Sequence, residues 1–195
     1  MVRHSTPDSQ HVANIVAVVL KATESELEAG KCWYSVYSQN IVMRAEEADL
    51  TAHQGLTLFA VLSQATGIAM NWRNYVKVVT TMDPEQTTYT LTAQKAKCRA
   101  ILANSVNPAQ YVTGPKITSF YRNLAGDEDT VTVDRHAISA CFNEMITNVG
   151  TRYDYVAECY RVAAAMVGLT PALTQAVAWL VWRRMKGIVD KENVV

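Results

Sequence analysis

Helical periodicity runs through nearly the whole chain and limits its fold more than any other feature. Apolar residues recur at spacings of three and four, as in the stripe formed by Ile15, Val16, Val19 and Leu20. A Thr followed three positions later by Glu or Gln, as at residues 23–26 and 51–54, marks helix starts. Strand-like alternation is confined to Thr130–Val133. The sequence therefore predicts an all-α protein.

Length and charge restrict the class of protein further. A chain of 195 residues can form one core, or one core split by a groove between two helical lobes. With 49% hydrophobic residues and 18 acidic against 18 basic ones, it is predicted to be soluble and globular. Zero net charge argues against avid nonspecific binding to nucleic acid, although a local basic strip is still compatible with it.

The sequence predicts no membrane span, no secretion and no metal centre. The apolar stretch from Val12 to Leu20 is too short for a bilayer and contains Asn14, and no secretory signal precedes it, so we expect a cytoplasmic protein. The cysteines at 32, 98, 141 and 159 form no CxxC pair. We therefore expect reduced, mostly buried thiols, with no metal and no cofactor.

The segment GPKITSFYRNLAGDEDTVTVDRH places Lys116 and Asp134 at the starts of two successive predicted helices. Pro115 suits the first helical position, so Lys116 would lie at the positive end of a helix dipole, which favours a neutral, nucleophilic amine. Asp134 is placed to cap the next helix with its carboxylate. For both residues an ordinary role at a helix start is the alternative. We expect the two side chains to face one cleft.

Several segments occur in the order found in one known family. The stretches LFAVLSQATG, LTAQKAKCRAIL, TGPKIT and VTVDRHA resemble, in this order, motifs of helix-hairpin-helix DNA glycosylases of the endonuclease III type. The resemblance covers residues 55–142, and the short, divergent chain looks like relatives common in bacterial viruses. It implies a two-lobed helical bundle with a cleft, in which residues 55–142 form the core. We expect the helices of residues 1–54 and 143–195 to pack together as the second lobe, because each is amphipathic.

The resemblance also implies a function. Such proteins bind duplex DNA and flip a damaged or modified base, and bifunctional members attack the sugar with a lysine and cleave the strand through a Schiff base. Lys116 would be the nucleophile and Asp134 its activator. Gln64 would fill the gap in the duplex, and Gly114 would offer amides to a phosphate. The remaining candidate DNA-binding residues are Thr113, Lys95, Arg122 and His136, with Lys97 and Arg99 as possible members of the same basic strip.

Some residues depart from the family pattern and support other functions. Val112 occupies the position of the first hairpin glycine, and Pro115 lacks an amide hydrogen, which would weaken the grip on phosphate. The loop Gly126–Asp129 adds three acids near Asp134. A catalytically idle relative that binds DNA or protein is therefore one alternative. An enzyme that modifies hypermodified DNA bases is another.

Overall fold

The protein is represented by a computed structural model that describes residues 6–188. Its α-helices are α1 (Ser9–Val19), α2 (Glu24–Glu46), α3 (Ala52–Leu62), α4 (Ile68–Thr81), α5 (Thr92–Leu102), α6 (Pro115–Leu124), α7 (Arg135–Phe142), α8 (Tyr153–Val167) and α9 (Pro171–Met185). Short 3₁₀ turns span Pro84–Gln86, Pro108–Tyr111 and Gly150–Arg152. Residues 6–188 contain no strand, and Thr130–Val133 has no regular secondary structure. The prediction of an all-α protein is confirmed for these residues.

The described chain forms two compact units. Residues 6–35 and 126–188 belong to one, called here the discontinuous unit, and residues 36–125 form the other, called the continuous unit. Helix α2 is unbroken and contributes residues to both. These boundaries differ from those of the predicted 55–142 core, because they fall within α2 and just after α6. The predicted lobes and the cleft between them stay predictions.

In the discontinuous unit, α1 packs against α7, α8 and α9 around one apolar core. Val12, Ile15, Val18 and Val19 supply the buried face of α1, since they recur at helical spacing. Helix α2 approaches α9 closely at Gly30, where an added Cβ would lie 2.4 Å from Cγ2 of Val177. The remaining large core side chains include Val133, Ile138, Val156, Tyr160, Val181 and Trp182.

In the continuous unit, α3 is buried on all sides. Every residue from Gln54 to Leu62 is buried, and α4, α5 and α6 all pack against this helix. Phe59 is at the centre of an aromatic cluster, with ring centroids 5.6–6.0 Å from those of Tyr37, Trp72, Tyr75 and Phe120. A helix that is buried around its whole circumference has packing partners on every side. Helix α3 therefore fixes the turn that follows it.

Local capping signals begin several helices where the sequence predicts. The Thr51 and Gln54 side chains form a reciprocal capping box on α3, and the Thr170 side chain accepts from the amide of Leu173 at α9. The apolar spacing of Ile138, Cys141, Phe142 and Met145 predicts a helix that reaches Met145, but α7 ends earlier. The helix stops at Phe142, where Asn143 takes a left-handed conformation with φ of 51°.

Between residues 6 and 188, no individual helix combines the length and apolarity needed to cross a membrane. The segments Gly150–Val167 and Pro171–Met185 meet that standard only as a pair bent by 95°, and by length and composition alone. Cys98, Cys141 and Cys159 are buried free thiols, whereas Cys32 is exposed.

Candidate functional site

The amine of Lys116 is held at the start of α6. Gly114 precedes the helix with φ of 88°, a left-handed conformation that glycine adopts without strain, and Pro115 is the first helical residue. Lys116 is half-buried, and its Nζ donates to the backbone oxygen of Ser63, 3.2 Å away. Lys116 therefore joins the N-terminus of α6 to the turn after α3.

Ser63 is the C-cap of α3, so the Lys116 amine lies at the carbonyl end of one helix and the amide end of another. The amide end of α6 repels a positive charge, whereas the carbonyl end of α3 attracts one. The expectation of a neutral amine considered α6 alone. The structure adds an opposing field from a helix that is distant in sequence.

The turn that contacts Lys116 also carries Gln64. Gln64 is exposed, and Ala65 beside it has φ of 61°. The Gln64 side-chain oxygen accepts a hydrogen bond from the amide of Gln94, a buried residue of α5. The structure thus brings two predicted site residues, Gln64 and Lys116, to one turn, and Gln94 restrains the first of them.

The predicted hairpin corresponds to the 3₁₀ turn Pro108–Tyr111 and α6, and α5 precedes it. Thr113 and Gly114 are exposed at its tip, and no heavy atom lies within 4 Å of a Cβ built on Gly114. Lys97 of α5 reaches this tip, with its Nζ donating to the Thr113 hydroxyl at 2.5 Å. A cation, a hydroxyl and an open glycine are therefore adjacent, which is the kind of surface that binds a phosphate.

The basic residues of α5 divide into two groups. Lys95 and Arg99, one turn apart, both pair with Glu85. Lys97 lies between them in sequence and contacts the hairpin instead, because residues two apart point to different sides of a helix. Lys95, which was predicted to bind DNA, thus forms an ion pair with Glu85, and Lys97 is the cation at the hairpin. Arg122 is exposed in the last turn of α6.

In the discontinuous unit, Asp134 caps α7 as predicted. Its Oδ1 accepts from the amides of His136 and Ala137, both at 2.8 Å. Its Oδ2 accepts from Nε1 of Trp179 on α9, at 3.0 Å. Both carboxylate oxygens are thus engaged by protein donors, and the Trp179 contact was not foreseen from the sequence.

Aromatic and cationic groups surround this carboxylate. The Arg183 guanidinium lies 4.1 Å from the centroid of Trp179, a cation–π contact. Burial raises the pKa of the Tyr34 hydroxyl, and the negative charge of Asp134 adds to this rise. His136 is buried, and its Nε2 accepts from Nε of Arg135 at 3.3 Å. Burial and this contact give His136 a structural role.

The acidic loop before Asp134 is organised by its own first acid. Asp127 accepts from the amides of Asp129 and Thr130 through Oδ1 and from the Thr130 hydroxyl through Oδ2. These contacts form a local side-chain turn of the kind that Asp commonly makes. Asp127 therefore has a structural explanation that requires no ligand.

Comparison with known proteins assigns the chain to a family but indicates no activity. Residues 2–186 match a family model described as "Family of unknown function (DUF7178)". No curated protein and no solved structure matches the chain.

Proposed function

The chain belongs to the DUF7178 family, and we propose that this member is a DNA glycosylase with abasic-site lyase activity that uses Lys116 as its nucleophile. In this proposal the Pro108–Tyr111 turn and α6 form the helix-hairpin-helix motif that grips the DNA backbone. An extruded base enters a cleft beside Lys116, and Gln64 fills the gap left in the duplex.

The observation that carries the proposal is the setting of the Lys116 amine. It is half-buried and fixed 3.2 Å from the Ser63 carbonyl, next to exposed Gln64. A lysine with no task at a helix start would normally extend into solvent. Here the Lys116 amine and the Gln64 side chain lie at one turn. A base displaced from the duplex by Gln64 would therefore leave the stack beside the nucleophile.

The chemistry follows from the nucleophilicity of a neutral amine. Nζ attacks C1′ of the extruded nucleotide, and the C1′–base bond breaks with its electron pair leaving on the base. The amine then loses its proton, the sugar ring opens, and a Schiff base links Lys116 to C1′. The protonated Schiff base acidifies the adjacent C2′ hydrogen, whose removal expels the 3′ phosphate and breaks the strand.

One observation favours the alternative of a catalytically idle DNA-binding relative. The carboxylate of Asp134 accepts three hydrogen bonds from His136, Ala137 and Trp179, which is a complete structural role. In that alternative the hairpin with Lys97 still contacts phosphates, but no base is removed.

Borohydride trapping separates the two functions. Duplexes containing uracil, an oxidised base or an abasic site are incubated with the protein and borohydride, which reduces a Schiff base to a stable amine. We expect a covalent protein–DNA band that is absent for Lys116→Ala and for Lys116→Arg. The arginine variant keeps an N–H donor for the Ser63 carbonyl but does not form a Schiff base, so it controls for the structural contact.

Lys21→Ala removes an exposed lysine of the discontinuous unit and should trap normally. A band that persists in Lys116→Arg would move the nucleophile to another residue. If no substrate gives a band while duplex binding remains salt-dependent, the idle relative is the better description.

A further inference from the structure

Tyr89 has a backbone conformation that its residue type disfavours, and its ring is exposed. It lies in the loop before α5 with 80% of its surface exposed and φ of 58°. The left-handed region is strained for a residue with a side chain, and bulky residues seldom occupy it. Such a conformation persists only when neighbouring groups impose it.

Asn74 of α4 imposes it. This residue is fully buried, and its Nδ2 donates to the Thr88 carbonyl at 2.8 Å and to the Thr90 hydroxyl at 3.2 Å. Its Oδ1 accepts from the Thr88 amide at 2.9 Å. The residues on both sides of Tyr89 are therefore anchored to a helix, and the ring is presented by a restrained turn.

A surface cavity of about 420 Å³ adjoins this turn. It has the size of a small-ligand site. Two exposed cations, Arg73 and Lys77, line it one helical turn apart, and no acidic side chain is among the described residues that do so. The other lining residues are Met70, Trp72, Asn74, Val76 and Thr88.

We propose that Tyr89 and this cavity bind single-stranded nucleic acid, with an unpaired base stacked on the Tyr89 ring and phosphates beside Arg73 and Lys77. Proteins that bind single strands combine aromatic rings with a positively charged groove in this way. A single strand suits a protruding ring better than a duplex does, because the faces of duplex bases are already stacked. The inference goes beyond the proposed glycosylase and does not depend on Lys116.

Binding is tested with a fluorescently labelled oligothymidylate about ten nucleotides long, which is in the range of single-strand sites. Tyr89→Gly removes the ring and suits a positive φ, so its folding should be unimpaired. Because Tyr89→Gly removes the stacking face for one base, we expect it to weaken binding about tenfold. Tyr89→Phe should bind like the wild type because it keeps the stacking face.

Charge variants test the phosphate contacts. Lys77→Gln should weaken binding and reduce its dependence on salt concentration, whereas Lys21→Gln should change neither. As a second readout, the oligonucleotide should quench protein fluorescence, and Trp72→Phe should diminish this quenching because Trp72 lines the cavity. Equal oligonucleotide affinities of wild type and Tyr89→Gly would refute the proposal. The proposal would also be refuted if oligoglutamate bound as tightly as the oligonucleotide and its binding were weakened equally by Lys77→Gln.

These results are separable from those for the glycosylase. Tyr89→Gly should leave borohydride trapping on an abasic duplex unchanged. Loss of all trapping together with Tyr89-dependent single-strand binding would refute the glycosylase proposal and support this one.

Discussion

Replacing Asp134 by alanine should destabilise the discontinuous unit by roughly 2 kcal/mol. The substitution removes the cap on α7, which costs about 1 kcal/mol. It also leaves Nε1 of Trp179 without its acceptor. An unsatisfied donor costs about 1–3 kcal/mol, and the lower end applies here because Trp179 is only half-buried and water can reach it.

The assay is denaturant unfolding followed by far-UV circular dichroism. This signal comes mainly from the helical backbone, so it remains usable in variants that lack a tryptophan. In thermal unfolding of a protein of this size, a loss of roughly 2 kcal/mol in the free energy of unfolding corresponds to a fall in Tm of about 4–8 °C. Asp134→Asn keeps an oxygen for the cap but turns a donor towards Trp179, so we expect a loss of about 1 kcal/mol.

A double-mutant cycle isolates the contact between α7 and α9. Trp179→Phe keeps an aromatic ring but lacks the donor, so it should cost less in the Asp134→Ala background than in the wild type, with a coupling of about 1 kcal/mol. Strictly additive effects, or an unfolding midpoint for Asp134→Ala equal to that of the wild type, would show that the carboxylate does not hold these helices. A folded Asp134→Asn that no longer traps DNA would assign the residue a catalytic role besides the cap.

Three further predictions concern packing, pH and DNA binding. Gly30→Ala should destabilise by about 1–3 kcal/mol in denaturant unfolding, because the new Cβ would lie 2.4 Å from Cγ2 of Val177, and Val177→Ala should restore part of the loss. Burial raises the pKa of the Tyr75 hydroxyl above its unfolded value of about 10. The stability that Tyr75 contributes is therefore complete below pH about 10 and is lost as the pH rises towards the folded-state pKa. Unfolding midpoints measured across this pH range should fall less steeply in Tyr75→Phe. Lys97→Ala should weaken duplex binding and reduce its salt slope by about 1, and an unchanged slope would remove this lysine from the phosphate contacts.

Helix starts were predictable because their signals are local. The Thr51 capping box and the Thr170 cap each lie within four residues of the groups they bind. The end of α7 was not predictable in this way. Asn143 turns the chain, and the hydroxyl of Ser139 then accepts from the amide of Ile146, so side chains rather than apolar spacing decide where the helix stops.

For the candidate site, the local positions of Lys116 and Asp134 at helix starts followed from the sequence, but their distant partners did not. The Gly-Pro turn before Lys116 and the Asp134 cap follow from residue type. The Ser63 carbonyl that receives the Lys116 amine lies 53 residues away in the chain, and Trp179 lies 45 residues from Asp134. Contacts over such separations depend on how helices pack, which periodicity in a single sequence does not specify.

The interrupted course of the discontinuous unit has a consequence for synthesis on the ribosome. Helix α1 emerges before α2 to α6, yet the helices that cover its apolar face, α7, α8 and α9, are made last. At about 5–20 residues per second, that face waits many seconds for its partners. All the helices of the continuous unit are synthesised before α7, so this unit can fold during the interval. Helix α1 is therefore the segment that a nascent-chain chaperone would have to shield.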